Sequence, residues 1–143
     1  MQIGVDVNKA IDNKRIFVLD SDEIISAALQ FMLHDENETH ELTSLEAVFR
    51  KAVDWKPDLL LLGIGIVRDQ GLAILDSIQQ QIDGLKIILI VDSADDPLAR
   101  DGLKHGVASL LVKPLTLEKV RQKVDIQLGR KTALSIPVAV VGA

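Results

Sequence analysis

Short, continuous apolar runs alternate along this chain with longer stretches in which apolar residues return every three to four positions. Arg15–Leu19, Asp58–Leu62, Lys86–Val91 and Ala108–Val112 have the length and composition of buried strands. Glu38–Leu42 is a weaker fifth strand. Asp20-Ser21-Asp22 reads as a loop feeding a helix N-terminus, with Ile24, Ile25, Ala28, Leu29, Met32 and Leu33 on one face. Thr43-Ser44-Leu45-Glu46 has capping-box spacing and opens a helix toward Asp54, which Trp55-Lys56-Pro57 ends. A third helix is predicted from about Gly71 to Gln81, with Leu72, Leu75, Ile78 and Ile82 inward. Asp96-Pro97 supplies an N-cap and a first-turn proline for a fourth, ending near His105-Gly106. Thr116 caps a fifth, with Leu117, Val120, Val124 and Leu128 on one stripe.

Fully apolar strands alternating with amphipathic helices predict an α/β domain whose parallel sheet is covered on both faces. Ligands of such sheets gather outside the carboxyl ends of the strands, where strand order reverses. The loops after Leu19, Leu62, Val91 and Val112 are therefore the place to look for chemistry.

Composition narrows the classes. The chain has 143 residues, 48% of them hydrophobic, with mean hydropathy +0.23, enough to build one core. It contains no cysteine, which removes disulfides, thiolate metal sites and thiol nucleophiles. A net charge of -5 is the wrong sign for a nucleic-acid or anionic-membrane partner. The longest apolar stretch, Leu59–Val67, is nine residues, whereas a spanning helix needs roughly 20. Met1–Arg15 lacks a basic start followed by an apolar run. These features predict a cytoplasmic domain that neither inserts into membranes nor binds nucleic acid itself.

Val18-Leu19-Asp20, Pro57-Asp58-Leu59-Leu60-Leu61-Leu62, Gly71-Leu72, Gly106 and Val112-Lys113-Pro114 occur in an order and spacing that resemble the receiver domain of bacterial response regulators. The resemblance runs from about Lys14 to Arg130. It implies a (βα)5 flavodoxin-like, CheY-like fold: a doubly wound five-stranded parallel sheet with helices on both faces. It also divides the chain into an N-terminal extension (1–13), a receiver-like domain (14–130) and a C-terminal linker or start of a following domain (131–143).

The family's chemistry requires five groups. Two acids after strand one help to hold Mg²⁺, and an aspartate ending strand three accepts the phosphoryl group. A hydroxyl after strand four and a lysine after strand five bind its oxygens, because a hard cation prefers carboxylates and a phosphoryl group prefers cationic and hydroxyl donors. On this chain the resemblance assigns those positions to Asp20, Ser21, Gly63, Val91 and Lys113. The aromatic switch position is Leu110. Acceptor, second acid and hydroxyl are thus replaced, which implies a degenerate pocket and a pseudo-receiver without enzymatic activity or cofactor.

The surviving polar residues have plain structural readings. Asp20 and Asp22 are weak metal candidates, and Asp22 has sufficient work as a helix cap. Lys113 could bind an anion or pair with Asp20, and pairing, which would neutralise the pocket, is the leading expectation. Asp92, Asp95 and Asp96 read as a solvated loop, and His34 and His40 as surface residues; His105 suits a helix C-terminus. Gly129-Arg130-Lys131-Thr132 does not have the spacing of a phosphate-binding loop.

The tail Ser135–Ala143 starts like another buried strand. It resembles the junction in TadZ/CpaE-type pilus-assembly proteins, where an atypical receiver precedes a ParA/MinD-like ATPase domain. The leading functional expectation is a phosphorylation-independent module that binds a protein partner or forms a homodimer. The face expected to carry it is that of helix four, strand five and helix five, with Arg100, Lys104, Leu110, Lys119 and Lys123. The alternatives are a working phosphorelay receiver using a shifted acid such as Asp20 or Asp22, and a small-ligand site in space left by Gly63 and Gly65.

Overall fold

The structure, a computed structural model, describes residues 13–130. Five strands, β1 (Arg15–Leu19), β2 (Glu38–Glu41), β3 (Leu59–Gly63), β4 (Lys86–Val91) and β5 (Ser109–Val112), form one sheet in the order β2-β1-β3-β4-β5. Every pairing is parallel. Six helices connect and cover it: α1 (Glu23–Leu33), α2 (Leu45–Asp54), α3 (Ile64–Gln70), α4 (Ala73–Gln81), α5 (Pro97–Lys104) and α6 (Leu117–Gln127).

The apolar strands lie in the middle because both of their faces are covered. Ile16, Val18, Leu59, Leu61, Ile88, Ile90 and Leu111 point to one side, against Leu29 and Leu33 of α1 and Val120 and Val124 of α6. Phe17, Leu19, Leu60, Leu62, Ile87, Leu89 and Val91 point to the other, against α2, α3, α4 and α5. Alternate residues of a strand face opposite ways, so a run of Leu or Ile feeds two cores at once.

The expected architecture is present, with four local differences. Helix α3 was not foreseen: Ile64 and Val67 continue the apolar run of β3, yet the chain turns helical after Gly63 and buries both side chains. Ile24 is 78% exposed and lies outside the buried face of α1. Leu117 is likewise 46% exposed, leaving Val120 and Val124 to anchor α6. Ser44, not Thr43, caps α2, accepting from the Ala47 amide at 3.0 Å, so Glu46 falls outside the box position. Asp22, Asp96 and Thr116 cap α1, α5 and α6 as expected, and Gly106 ends α5 with φ +97°, a conformation side chains disfavour. The strand expected at Ser135–Ala143 and the extension before Asn13 lie outside the described residues.

Candidate functional site

Strand order reverses between β1 and β3, so the residues that follow those two strands meet in the crevice at the sheet's carboxyl edge. Register decides which do. Leu19 is paired with Leu62, which sets Asp20 beside Gly63. Val91 is paired with Val112, which sets Asp92 beside Lys113.

The Asp20 carboxylate accepts the Asp22 amide at 2.8 Å, while Asp22 itself accepts from Ile24 at 2.9 Å. Two successive aspartates thus form the turn into α1. The same Asp20 carboxylate lies over Gly63: a Cβ built on Gly63 would stand 2.6 Å from Asp20 Cγ and 3.1 Å from Oδ1, and closer still to Oδ2. Real Cβ atoms do not come so near, so a side chain at Gly63 would require the Asp20 carboxylate to move. Gly63 has φ -68° and ψ 136°, a backbone that any residue adopts, and what restricts this position is its neighbour. Two residues on, a Cβ at Gly65 would lie 3.2 Å from Ser21 Oγ. Asp20, Ser21, Gly63 and Gly65 are therefore brought together at the sheet's carboxyl edge.

Lys113 is not where the sequence placed it. Its Nζ lies 3.6 Å from Asp92 Oδ1, and no ion pair joins it to Asp20 among the described residues. Asp92 leaves the adjacent strand in register with Lys113, since Val91 pairs with Val112, and so its carboxylate lies within reach of the amine. Val91 is fully buried at the end of β4. Leu110 is partly buried and packs against the core.

The acidic run after β4 is neutralised residue by residue. Asp92 meets Lys113, Asp95 meets Arg100 at 3.2 Å, and Asp96 meets Arg68 of α3 at 2.6 Å. The Arg68 guanidinium, followed by the Leu98 amide, holds the Asp96 carboxyl below its ordinary range. Arg68 is the residue that sequence reasoning missed, since the helix carrying it was not expected.

Mg²⁺, which the fold family implies, does not fit these residues. One carboxylate, already accepting an amide and lying against Gly63, stands where a divalent cation would need several oxygen donors. No cluster of three or more acidic or histidine ligands occurs among the described residues.

On the other flank, the candidate interaction residues divide. Arg100 is 65% exposed despite its pair with Asp95, and Lys104 is exposed in the last turn of α5. The two α6 lysines instead turn onto their own fold. Lys119 Nζ donates to the carbonyls of Val112 and Pro114 at 2.8 and 2.9 Å, and Lys123 Nζ to Ser109 Oγ at 3.2 Å. They tie α6 to β5 and to the turn after it.

A family model for the response regulator receiver domain matches residues 16–125. The chain belongs to that family. Among curated proteins, this receiver domain is 30% identical over 131 residues to the response regulator protein PmrA of Pseudomonas aeruginosa, covering 90% of the chain and 58% of PmrA. It is 25% identical over 114 residues to the transcriptional regulatory protein KdpE of Staphylococcus aureus, covering 78% of the chain and 48% of KdpE. The chain thus spans about half the length of these relatives. Solved structures share the fold. The N-terminal receiver domain of a Bacteroides fragilis response regulator superposes with a TM-score of 0.74 at 23% identity, over 83% of this chain and 99% of that one. NtrX from Brucella abortus, in complex with ADP, gives 0.74 at 24% identity, over 82% and 26%. The protein is therefore a receiver domain of two-component signalling, a family that works through contacts with other proteins. No helix among the described residues is long and apolar enough to cross a membrane.

Proposed function

We propose that this receiver domain acts without phosphorylation, as a constitutive protein–protein interaction module that forms a homodimer or docks a partner. The observation that carries the reading is the Asp20 carboxylate lying in the space a side chain at Gly63 would need. Glycine offers no nucleophile at the end of β3, buried Val91 offers no hydroxyl to a phosphoryl oxygen, and Lys113 is turned toward Asp92. An activating signal that works by adding a phosphoryl group has no group here to receive it. Partner contact would then depend on the resting surface, for which the exposed Arg100, Lys104 and Leu103 of α5 and the partly buried Leu110 of β5 are the candidates. A role in pilus assembly is a narrower form of the same reading and rests on the tail at Ser135–Ala143 alone.

The test is sedimentation velocity over a concentration series, with and without Mg²⁺ and the phosphoryl mimic beryllofluoride. Self-association, or complex formation with an added partner, is expected to be unchanged by the mimic. A mimic-dependent shift in sedimentation would overturn the proposal.

A further inference from the structure

The crevice of Asp20 and Gly63 sits between β1 and β3, and a further polar link across the carboxyl edge of the sheet lies beyond it. Arg68 is five positions after Gly63, at the end of β3, and Asp96 is five positions after Val91, at the end of β4. Their side chains meet, Arg68 Nη2 to Asp96 Oδ2 at 2.6 Å. Each end of this contact is anchored in the core. Ile64 and Val67 of α3 are buried in the same apolar cluster as Val91, and Ala99, three residues into α5 from Asp96, is fully buried there too. Asp96 Oδ1 also caps α5 through the Leu98 amide at 2.9 Å, so one carboxylate is both helix cap and ion-pair partner. Asp96 is 19% exposed and Arg68 56%, so the acid is sheltered while the guanidinium reaches it from the rim.

Further along α5 the helix lies close on β4. A Cβ on Gly102 would come within 2.6 Å of Leu89 Cδ1, which fixes the C-terminal half of the helix against the sheet. Its N-terminal half buries Ala99 in the core and is also joined to α3 by the ion pair.

We propose that the Arg68–Asp96 pair is a built-in strap that joins α3 to the N-terminus of α5, holds the 92–96 loop over the strand ends, and fixes the orientation of α5 without any ligand. This deepens the proposed function and rests on it: a surface that must be ready at all times requires a permanent tie in place of a transient one.

The experiment is amide hydrogen exchange on the full 143-residue chain as wild type, Arg68→Gln, Asp96→Asn and the double variant. Asparagine caps helices about as well as aspartate, so Asp96→Asn removes the charge and keeps the cap. Each single variant is expected to speed exchange of amides in 92–98 about two- to fivefold, with the double variant no faster than either, as for one shared ion pair. In wild type, raising salt to about 1 M is expected to move the same amides in the same direction. Unchanged exchange in Arg68→Gln, or two single effects that multiply in the double variant, would overturn the strap. A separate arm with Mg²⁺ and beryllofluoride distinguishes the readings. Loop protection that rises with the mimic while the strap variants behave as expected would sink phosphorylation independence and leave the strap standing.

Discussion

Adding a single methyl group at residue 63 tests the crowding beneath the whole account. A Cβ on Gly63 would overlap the Asp20 carboxylate, with Cγ at 2.6 Å. The backbone there, φ -68° and ψ 136°, accepts alanine without strain. The nearest atoms all belong to the Asp20 side chain, so relief comes from rotating it away at the expense of its 2.8 Å bond from the Asp22 amide. A hydrogen bond to a charged acceptor contributes about 1.5–3 kcal/mol, and partial rehydration of the displaced carboxylate returns some of that. Gly63→Ala is thus expected to cost about 1–2 kcal/mol in the wild-type background. In an Asp20→Ala background the collision is gone, and the same substitution is expected to be neutral or to stabilise by about 0.4–1 kcal/mol through the unfolded chain. Urea unfolding of the four proteins closes the cycle, with a coupling of about 1–3 kcal/mol expected. Additivity within about 0.5 kcal/mol would show that Asp20 does not occupy the space of a side chain at 63, and the reasoning would fail.

Other sites give independent checks. Glu38 receives a fork from Arg15, at 2.6 and 3.3 Å, and a third contact from His40 at 2.8 Å, which together hold its carboxyl at about 2 against an ordinary 4.5. A depressed carboxyl stabilises above its unfolded value and loses that contribution as pH falls through its folded value. The stability difference between wild type and Glu38→Gln should therefore be flat above pH 4.5 and shrink from there toward pH 2, by about 1–2 kcal/mol in acid titrations of urea unfolding. Gly102→Ala should destabilise by about 1–3 kcal/mol, because its methyl would press on Leu89 in a packed interface; thermal or urea unfolding reads this directly, and no loss would contradict the packing of α5. Lys113→Ala should change stability by less than about 0.5 kcal/mol, since its partner Asp92 is 81% exposed. A larger loss by the same assay would mean that Lys113 holds the pocket after all.

Much of the fold is legible from hydrophobic pattern because burial on two faces leaves no polar residue inside Leu59–Leu62 or Ile87–Val91. Caps at Asp22, Asp96 and Thr116 are equally readable, since the hydrogen bonds they make are local. Helix α3 is hidden for the opposite reason: Ile64–Val67 extends an apolar run, and Gly63 and Gly65 read as loop when nothing shows that one of them lies under a carboxylate. Ile24 has helical spacing but sits in the first turn, beyond the reach of the sheet. Side-chain direction is the least legible layer. Lys113 has acids on two loops within a plausible pocket, and only the register of β4 and β5 selects Asp92. Arg68 and Asp96 are 28 residues apart, and nothing local marks them as partners. Lys119 and Lys123 look like exposed charge on an amphipathic helix, whereas the short step from β5 to α6 brings their amines back onto β5 and the turn after it.

Phosphoryl acceptance is the central claim's most direct test. The 143-residue chain, incubated with Mg²⁺ and a small-molecule phosphodonor such as acetyl phosphate, would be measured by intact mass spectrometry beside a receiver domain that retains its acceptor aspartate. The account predicts a phosphorylated species in the control and none in this chain. An acid-stable, hydroxylamine-labile adduct mapping to Asp20 or Asp22 would contradict it and make this a working receiver with a displaced acceptor.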